Sequence, residues 1–134
     1  MTTRIFPASN DCLTDAISFV EEELENCDCP MKAVMQITVC VEEMFVNVAN
    51  YAYEGGEGTV SLSIGEEDGN VVITLKDSGV PFDPLAKEDP DITLSAEERR
   101  IGGLGIFMVK KSMDSVHYER TNGENVFTMS KKIR

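Results

Sequence analysis

The sequence predicts a two-layer α/β (α+β) sandwich, with helices packed on one face of a mixed, mostly antiparallel sheet. Three observations carry that prediction. Apolar residues recur at helical spacing over residues 13–53 and again after Leu104, whereas residues 59–76 and 115–131 alternate at strand period. Glu67-Asp68-Gly69-Asn70 and Thr121-Asn122-Gly123 carry turn residues that join the strand-period stretches in pairs. The chain has 134 residues, 42% of them hydrophobic, which suits a single domain spanning 1–134 with a core that needs no staples.

Each element follows from local pattern. Thr3 to Ala8 reads as a short first strand, and Ser9 or Asn10 then offers an N-cap to a helix carrying Leu13, Ile17, Val20 and Leu24 on one face and ending near Asn26. Pro30 suits the first turn of a longer helix, with Val34, Ile37, Val41, Met44, Phe45 and Val48 as its apolar stripe, running to Tyr51 or Tyr53. Gly55-Gly56-Glu57-Gly58 stops it. Thr59 to Ile64 and Val71 to Lys76 form a hairpin. Residues 81–102 have three prolines, several acids and no period, as befits a functional loop such as a lid over a site. Helical spacing resumes at Leu104, Phe107, Met108 and Met113, and strands follow at Ser115–Glu119 and Asn125–Lys131.

Charge narrows the function. A net charge of −12 and a pI near 4.4 argue against nucleic acid as a direct ligand, because phosphate backbones are bound by clustered Lys and Arg. Polyphosphate remains open, since backbone amides and a divalent cation can offset its charge locally. No apolar run approaches the roughly 20 residues that span a bilayer, and Met1 to Pro7 lacks a signal-peptide core, so a soluble cytoplasmic protein with no membrane partner is expected. Cys12, Cys27, Cys29 and Cys40 do not form the spaced pair-of-pairs of a zinc site and read as reduced, incidental thiols. The single histidine, His117, sits in strand-period sequence without a motif.

Three polar clusters interrupt the apolar patterning. Glu43 and Asn47, four apart, project from one helix face, with Asn50 one turn further. A carboxylate there can take a proton from an attacking hydroxyl, and a carboxamide oxygen is a hard ligand suited to magnesium. Taken alone, an E-x-x-x-N is more readily a solvated helix face, and the spacing by itself is weak evidence. Asp77 follows the strand Val71 to Lys76 and can accept a hydrogen bond from an exocyclic amine, while Gly79 lets backbone approach a flat base; Asp-Ser-Gly is also a common turn. Gly102-Gly103-Leu104-Gly105 opens a helix, whose free amides complement phosphate oxygens, although the pattern is neither a P-loop nor a dinucleotide fingerprint.

In this order, Glu43-x-x-x-Asn47, Asp77-x-Gly79 and Gly103-x-Gly105 resemble the N, G1 and G2 boxes of the GHKL ATPases, the superfamily of gyrase, Hsp90, histidine kinases and MutL. The compact layout, with Val41 to Tyr53, Asp77-Ser78-Gly79…Phe82-Asp83-Pro84 and Gly103 to Val109, is similar to the anti-sigma-factor serine kinases of the RsbW and SpoIIAB type. The resemblance implies the Bergerat, or histidine-kinase-like ATPase, fold with ATP and Mg2+ as cofactors. It makes Glu43 the general base, Asn47 the magnesium ligand and Asp77 the adenine reader. Gly79 shapes the base pocket, Gly103, Leu104, Gly105 and Ile106 hold phosphates through their backbone, and Thr128 offers a hydroxyl near the base. Arg99 or Arg100 is a candidate phosphate contact, although Gly102 stands where many of these kinases have an arginine or serine.

The implied activity is ATP-dependent phosphorylation of a serine on an anti-anti-sigma (STAS-type) partner, with a sigma factor as the alternative partner and a homodimer as a plausible state. The competing expectation is a nucleotide-gated binding regulator of the same fold with little kinase activity, against which the retained Glu43 speaks. A cysteine-based metal or redox protein is the third.

Overall fold

A computed structural model describes residues 1–53, 56–85 and 103–134. Strand β1 (Thr2–Pro7) leads through a 3-10 turn at Asn10–Cys12 into α1 (Leu13–Asn26). Ser9 caps the 3-10 turn, its hydroxyl accepting from the Asp11 amide at 3.2 Å, whereas α1 itself starts after Cys12 without a side-chain cap. Helix α2 (Met31–Asn47) begins after Pro30 and continues as a π-helical turn, Val48–Ala52. Strands β2 (Thr59–Glu67) and β3 (Asn70–Asp77) follow, then α3 (Gly103–Ser112), β4 (Ser115–Thr121) and β5 (Glu124–Lys132).

The strands form one sheet in the order β1-β2-β3-β5-β4. All four pairings are antiparallel, so the expected mixed sheet proves to be purely antiparallel among the described residues. Two hairpins set the register. Asp68 (φ 51°) with Gly69 (φ 83°), and Asn122 (φ 52°) with Gly123 (φ 78°), supply the paired positive φ values of type I′ turns, whose twist matches that of the strands.

Strand alternation divides the sheet into two unlike faces. Val60, Leu62 and Ile64 of β2, Val71, Ile73 and Leu75 of β3, and Phe127 and Met129 of β5 are buried against the helices. From the helical layer come Phe19, Val20 and Leu24 of α1, Ile37, Val41 and Phe45 of α2, and Val109 of α3. Phe6 of the edge strand stacks edge-on against Phe45, ring centroids 6.3 Å apart. The opposite face carries small polar residues, among them the facing hydroxyls of Thr74 and Thr128 at 3.3 Å. Lys131 lies on the helix-side register of β5 and donates its Nζ to the Ser112 carbonyl at 2.7 Å, capping the C-terminus of α3.

Two buried polar residues end these apolar rows. Asp77 continues the buried register of β3, and Asn125, its Cα partner across the ladder, continues that of β5. Asn47 is buried at the end of α2. These are the buried polar side chains among the described residues, and they meet in one place.

Candidate nucleotide site

A recess partly open to solvent lies between the end of α2 and the C-terminal end of β3. Asn47, Asp77, Phe82, Tyr118 and Asn125 line it together with apolar side chains such as Leu75. A mainly apolar wall with a few convergent polar groups suits a flat heterocycle. Asp77 is 6% exposed, and both hydrogen bonds described for its carboxylate fall on Oδ1, from the Gly79 amide at 2.9 Å and from Asn125 Nδ2 at 2.9 Å. Oδ2 carries no hydrogen bond to a described residue.

The π turn forms the floor beside this aspartate. Val48 N–H is shared between the carbonyls of Met44 and Phe45, and the Ala52 carbonyl, left without a helical partner where the segment ends, accepts from Val80 N–H at 2.7 Å. Gly79 packs directly on Ala52: a Cβ there would overlap the Ala52 carbonyl group and side chain. Absence of a side chain, rather than an unusual φ, is what the position requires. Tyr53 adds a second tie, its hydroxyl donating to the Thr59 carbonyl at 2.5 Å and accepting from the Ser78 amide at 3.0 Å.

At the other end of the site, α3 lies against α2 with its first turn on Glu43. A Cβ on Gly105 would overlap Glu43 Oε2, so the carboxylate rests directly on the glycine backbone. Glu43 is one helical turn before Asn47, which places a carboxylate at the N-terminal amides of α3 and a carboxamide between it and the recess. The Ile106 side chain belongs to the core, leaving its amide as the group it offers to a ligand. Gly103 and Leu104 are the first residues of the helix.

The same packing holds Cys40. Burial pushes its thiol above the ordinary range, a hydrogen bond with Ser112 and the nearby Lys131 charge offset part of that rise, and the Glu43 charge adds to it. Burial likewise raises Cys27 and Cys29 at the α1–α2 turn. Among the described residues no group of three or more His, Cys, Asp or Glu side chains is arranged to hold a metal ion.

Magnesium can be weighed against Asn47. Its Nδ2 is the one buried side-chain polar atom without a hydrogen-bond partner among the described residues. Burying an amide donor unpaired is costly, so an N–H kept that way at the edge of a recess fits a ligand that brings an acceptor such as a phosphate oxygen, and the Oδ1 of the same carboxamide is the atom that would hold a cation. The donor chemistry suits a hard cation that retains water and phosphate oxygens.

Two expected placements are corrected. Thr128 lies on the opposite sheet face, between the core-facing Phe127 and Met129 and beside Thr74, because strand parity turns its hydroxyl away from the recess. Asn50 does not continue the Glu43/Asn47 face: the π turn rotates it away, and its Oδ1 accepts from Asn10 Nδ2 at 3.0 Å. Arg99, Arg100, Gly102 and most of the expected lid, 86–102, lie outside the described residues. Asn125, Tyr118 and Arg120 join the site without having been singled out in the sequence. Asn125 accepts from Tyr118 OH at 2.5 Å, and Arg120 donates to the Gly79 carbonyl at 2.8 Å. A polar residue on the buried register of β5 was the available signal for Asn125.

The described residues thus form an α/β sandwich with a helical layer on an antiparallel sheet and an aspartate-lined recess near glycines at a helix N-terminus. The histidine kinase-like ATPase domain family matches residues 6–131, and the chain belongs to it. It is 31% identical over 109 residues to the serine-protein kinase RsbW of Listeria monocytogenes, covering 76% of this chain and 68% of that one. It is 23% identical over 118 residues to the serine/threonine-protein kinase BtrW of Bordetella bronchiseptica, covering 87% and 83%. Among solved structures, the SiaB–SiaC complex of Pseudomonas aeruginosa contains a chain of the same fold (TM-score 0.60, 17% identity, 98% of this chain and 89% of that one). The RsbU and RsbW domains of a Mycobacterium tuberculosis protein match at TM-score 0.63 and 14% identity over 99% of this chain, which spans 33% of that longer chain.

Proposed function

We propose that the protein is an ATP-dependent serine-protein kinase of the partner-switching kind, acting on a serine of a STAS-type antagonist and holding a sigma factor in the alternative state. The observation that carries this reading is the Glu43 carboxylate seated on the first turn of α3, one helical turn from Asn47. A pure nucleotide binder has no need of a base at the phosphate end. Relatives named as serine-protein kinases support the same reaction class.

In this reading the adenine amine donates to Asp77 within the recess, and the amides that begin α3 donate to the phosphate oxygens at the helix N-terminus. Magnesium held through Asn47 would offset the triphosphate charge. Glu43 takes the proton from the serine hydroxyl as that oxygen bonds to the γ-phosphorus and the bond to the departing ADP breaks. Positioning supplies most of the acceleration, because phosphoryl transfer asks little covalent chemistry of the protein.

The test is incubation of the full chain with γ-labelled ATP and a serine-bearing STAS-type protein. Labelled phosphoserine is expected from the unaltered protein. Glu43→Gln should retain ATP binding and lose transfer by about 100-fold or more, within the range typical of general-base removal. Firm ATP binding without transfer by the unaltered chain would replace the kinase with a nucleotide-gated regulator.

A further inference from the structure

We infer that Asn125 is a positioning residue that fixes the Asp77 carboxylate so that the site selects a 6-amino over a 6-oxo purine. The inference rests on the ATP reading above and concerns a residue outside the motifs that led to it. Asn125 is 5% exposed, and all four capacities of its carboxamide are used. Nδ2 donates to Asp77 Oδ1 at 2.9 Å and to the Val80 carbonyl at 2.8 Å. Oδ1 accepts from Tyr118 OH at 2.5 Å and from the Phe82 amide at 3.3 Å.

A carboxamide saturated in this way has nothing left to offer a base. Its effect must pass through Asp77. The amide orientation is set by its neighbours, since Phe82 N–H requires the oxygen while Val80 C=O and the Asp77 carboxylate require the NH2. With Oδ1 tied by Gly79 and Asn125, Oδ2 is the oxygen available to a ligand in the recess. An ionised oxygen only accepts, so the base edge facing it must donate. An exocyclic amine does so, whereas a 6-oxo group would set one acceptor against another. The terminal carboxylate torsion is intrinsically soft, and without Asn125 one of its two side-chain and backbone ties is gone.

Isothermal titration of the full chain with magnesium-ATP and magnesium-inosine triphosphate reads the effect. The unaltered protein is expected to prefer ATP by about 10-fold or more, as befits a hydrogen bond to a charged group. Asn125→Ala should weaken ATP about 10-fold and change inosine triphosphate by no more than about twofold, so that the preference collapses. Equal losses for both nucleotides would mark a merely structural residue and overturn the inference, as would an unchanged preference. Tyr118→Phe removes one bond from Asn125 while keeping the ring, and should lower the preference about two- to threefold. It decides the matter if Asn125→Ala does not fold, because an unchanged ratio in Tyr118→Phe counts against the inference. An unaltered protein that binds neither nucleotide refutes the proposed function itself, whereas one that binds both equally refutes the Asp77 selectivity alone.

Discussion

Gly105→Ala separates stability from catalysis at one position. The glycine is the third residue of α3 and does not adopt a positive φ, so alanine suits its backbone and should favour the helix by about 0.5–1 kcal/mol. Against this stands the overlap of the new methyl with Glu43 Oε2. The atom in the way is the tip of a flexible side chain, which can retreat by roughly 1 Å through rotation at little cost in packing. Net stability is therefore expected to be unchanged or raised by up to about 1 kcal/mol, a rise in Tm of at most about 3–5 °C for a chain of this size. Phosphotransfer should fall about 100-fold, because displacing a catalytic group by about 1 Å costs rate on that scale. Gly79→Ala is the contrasting case. Its methyl meets the Ala52 backbone, which cannot rotate away and whose carbonyl also holds Val80 N–H, so a loss of about 2–4 kcal/mol is expected from overpacking and a weakened hydrogen bond. Calorimetric melting and transfer from labelled ATP to a STAS-type substrate measure both quantities. A Gly105→Ala protein that melts well below the parent, or that transfers phosphate at the parent rate, would refute the argument that the missing side chain serves Glu43.

Asn47→Ala removes an unpaired buried donor, so the nucleotide-free protein should melt within about 1 kcal/mol of the parent while magnesium-dependent ATP affinity falls at least about 10-fold; titration with and without magnesium checks this. Thr128→Ala should leave ATP affinity within about twofold, since the hydroxyl lies across the sheet from the recess, and a larger loss would show that the strand parity assigned here is wrong. For Cys40, burial raises the folded thiol above its unfolded value of 9.0, so the folded state holds its proton longer as pH rises. That contribution is fully present below pH 9 and is lost as pH climbs through the folded pKa. Denaturant melts of Cys40→Ala between pH 7 and 10 should accordingly show a shallower alkaline decline than the parent.

Much of the fold was legible because its signals are local. Asp68-Gly69 and Asn122-Gly123 announce hairpins through the φ values they tolerate, and the apolar stripes of α1 and α2 follow from spacing alone. Asp77 could be placed as the end of the alternation Val71, Ile73, Leu75. Thr128 was misplaced although the same rule applies: Phe127 and Met129 are the apolar pair, which puts Thr128 on the other face and Asn125 on the buried one. The π turn had no such signal. Its apolar residues keep helical spacing, and a widening of one turn leaves no mark on that pattern. Contacts distant in sequence, such as Gly105 on Glu43 or Tyr118 on Asn125, depend on how elements dock and have no periodicity to announce them.

The two ends of the site are built differently, and the difference bears on what a variant should change. At the base end Asp77 is held from several directions, by Asn125 on the neighbouring strand, by its own Gly79 turn, and through that turn by Arg120 and the π segment. Such cross-bracing fixes the recess before a ligand arrives, so changes there should act on ground-state nucleotide affinity. At the phosphate end the described contact is a carboxylate resting on a helix backbone, between elements joined by side-chain packing. In the proposed reaction a change there alters where Glu43 stands relative to the acceptor oxygen and should act on kcat at nearly constant nucleotide affinity. A regulator that only sensed nucleotide would be sensitive at the first end and indifferent at the second, which is why the Glu43 and Gly105 variants, more than those of Asp77, discriminate a kinase from a nucleotide-gated binder.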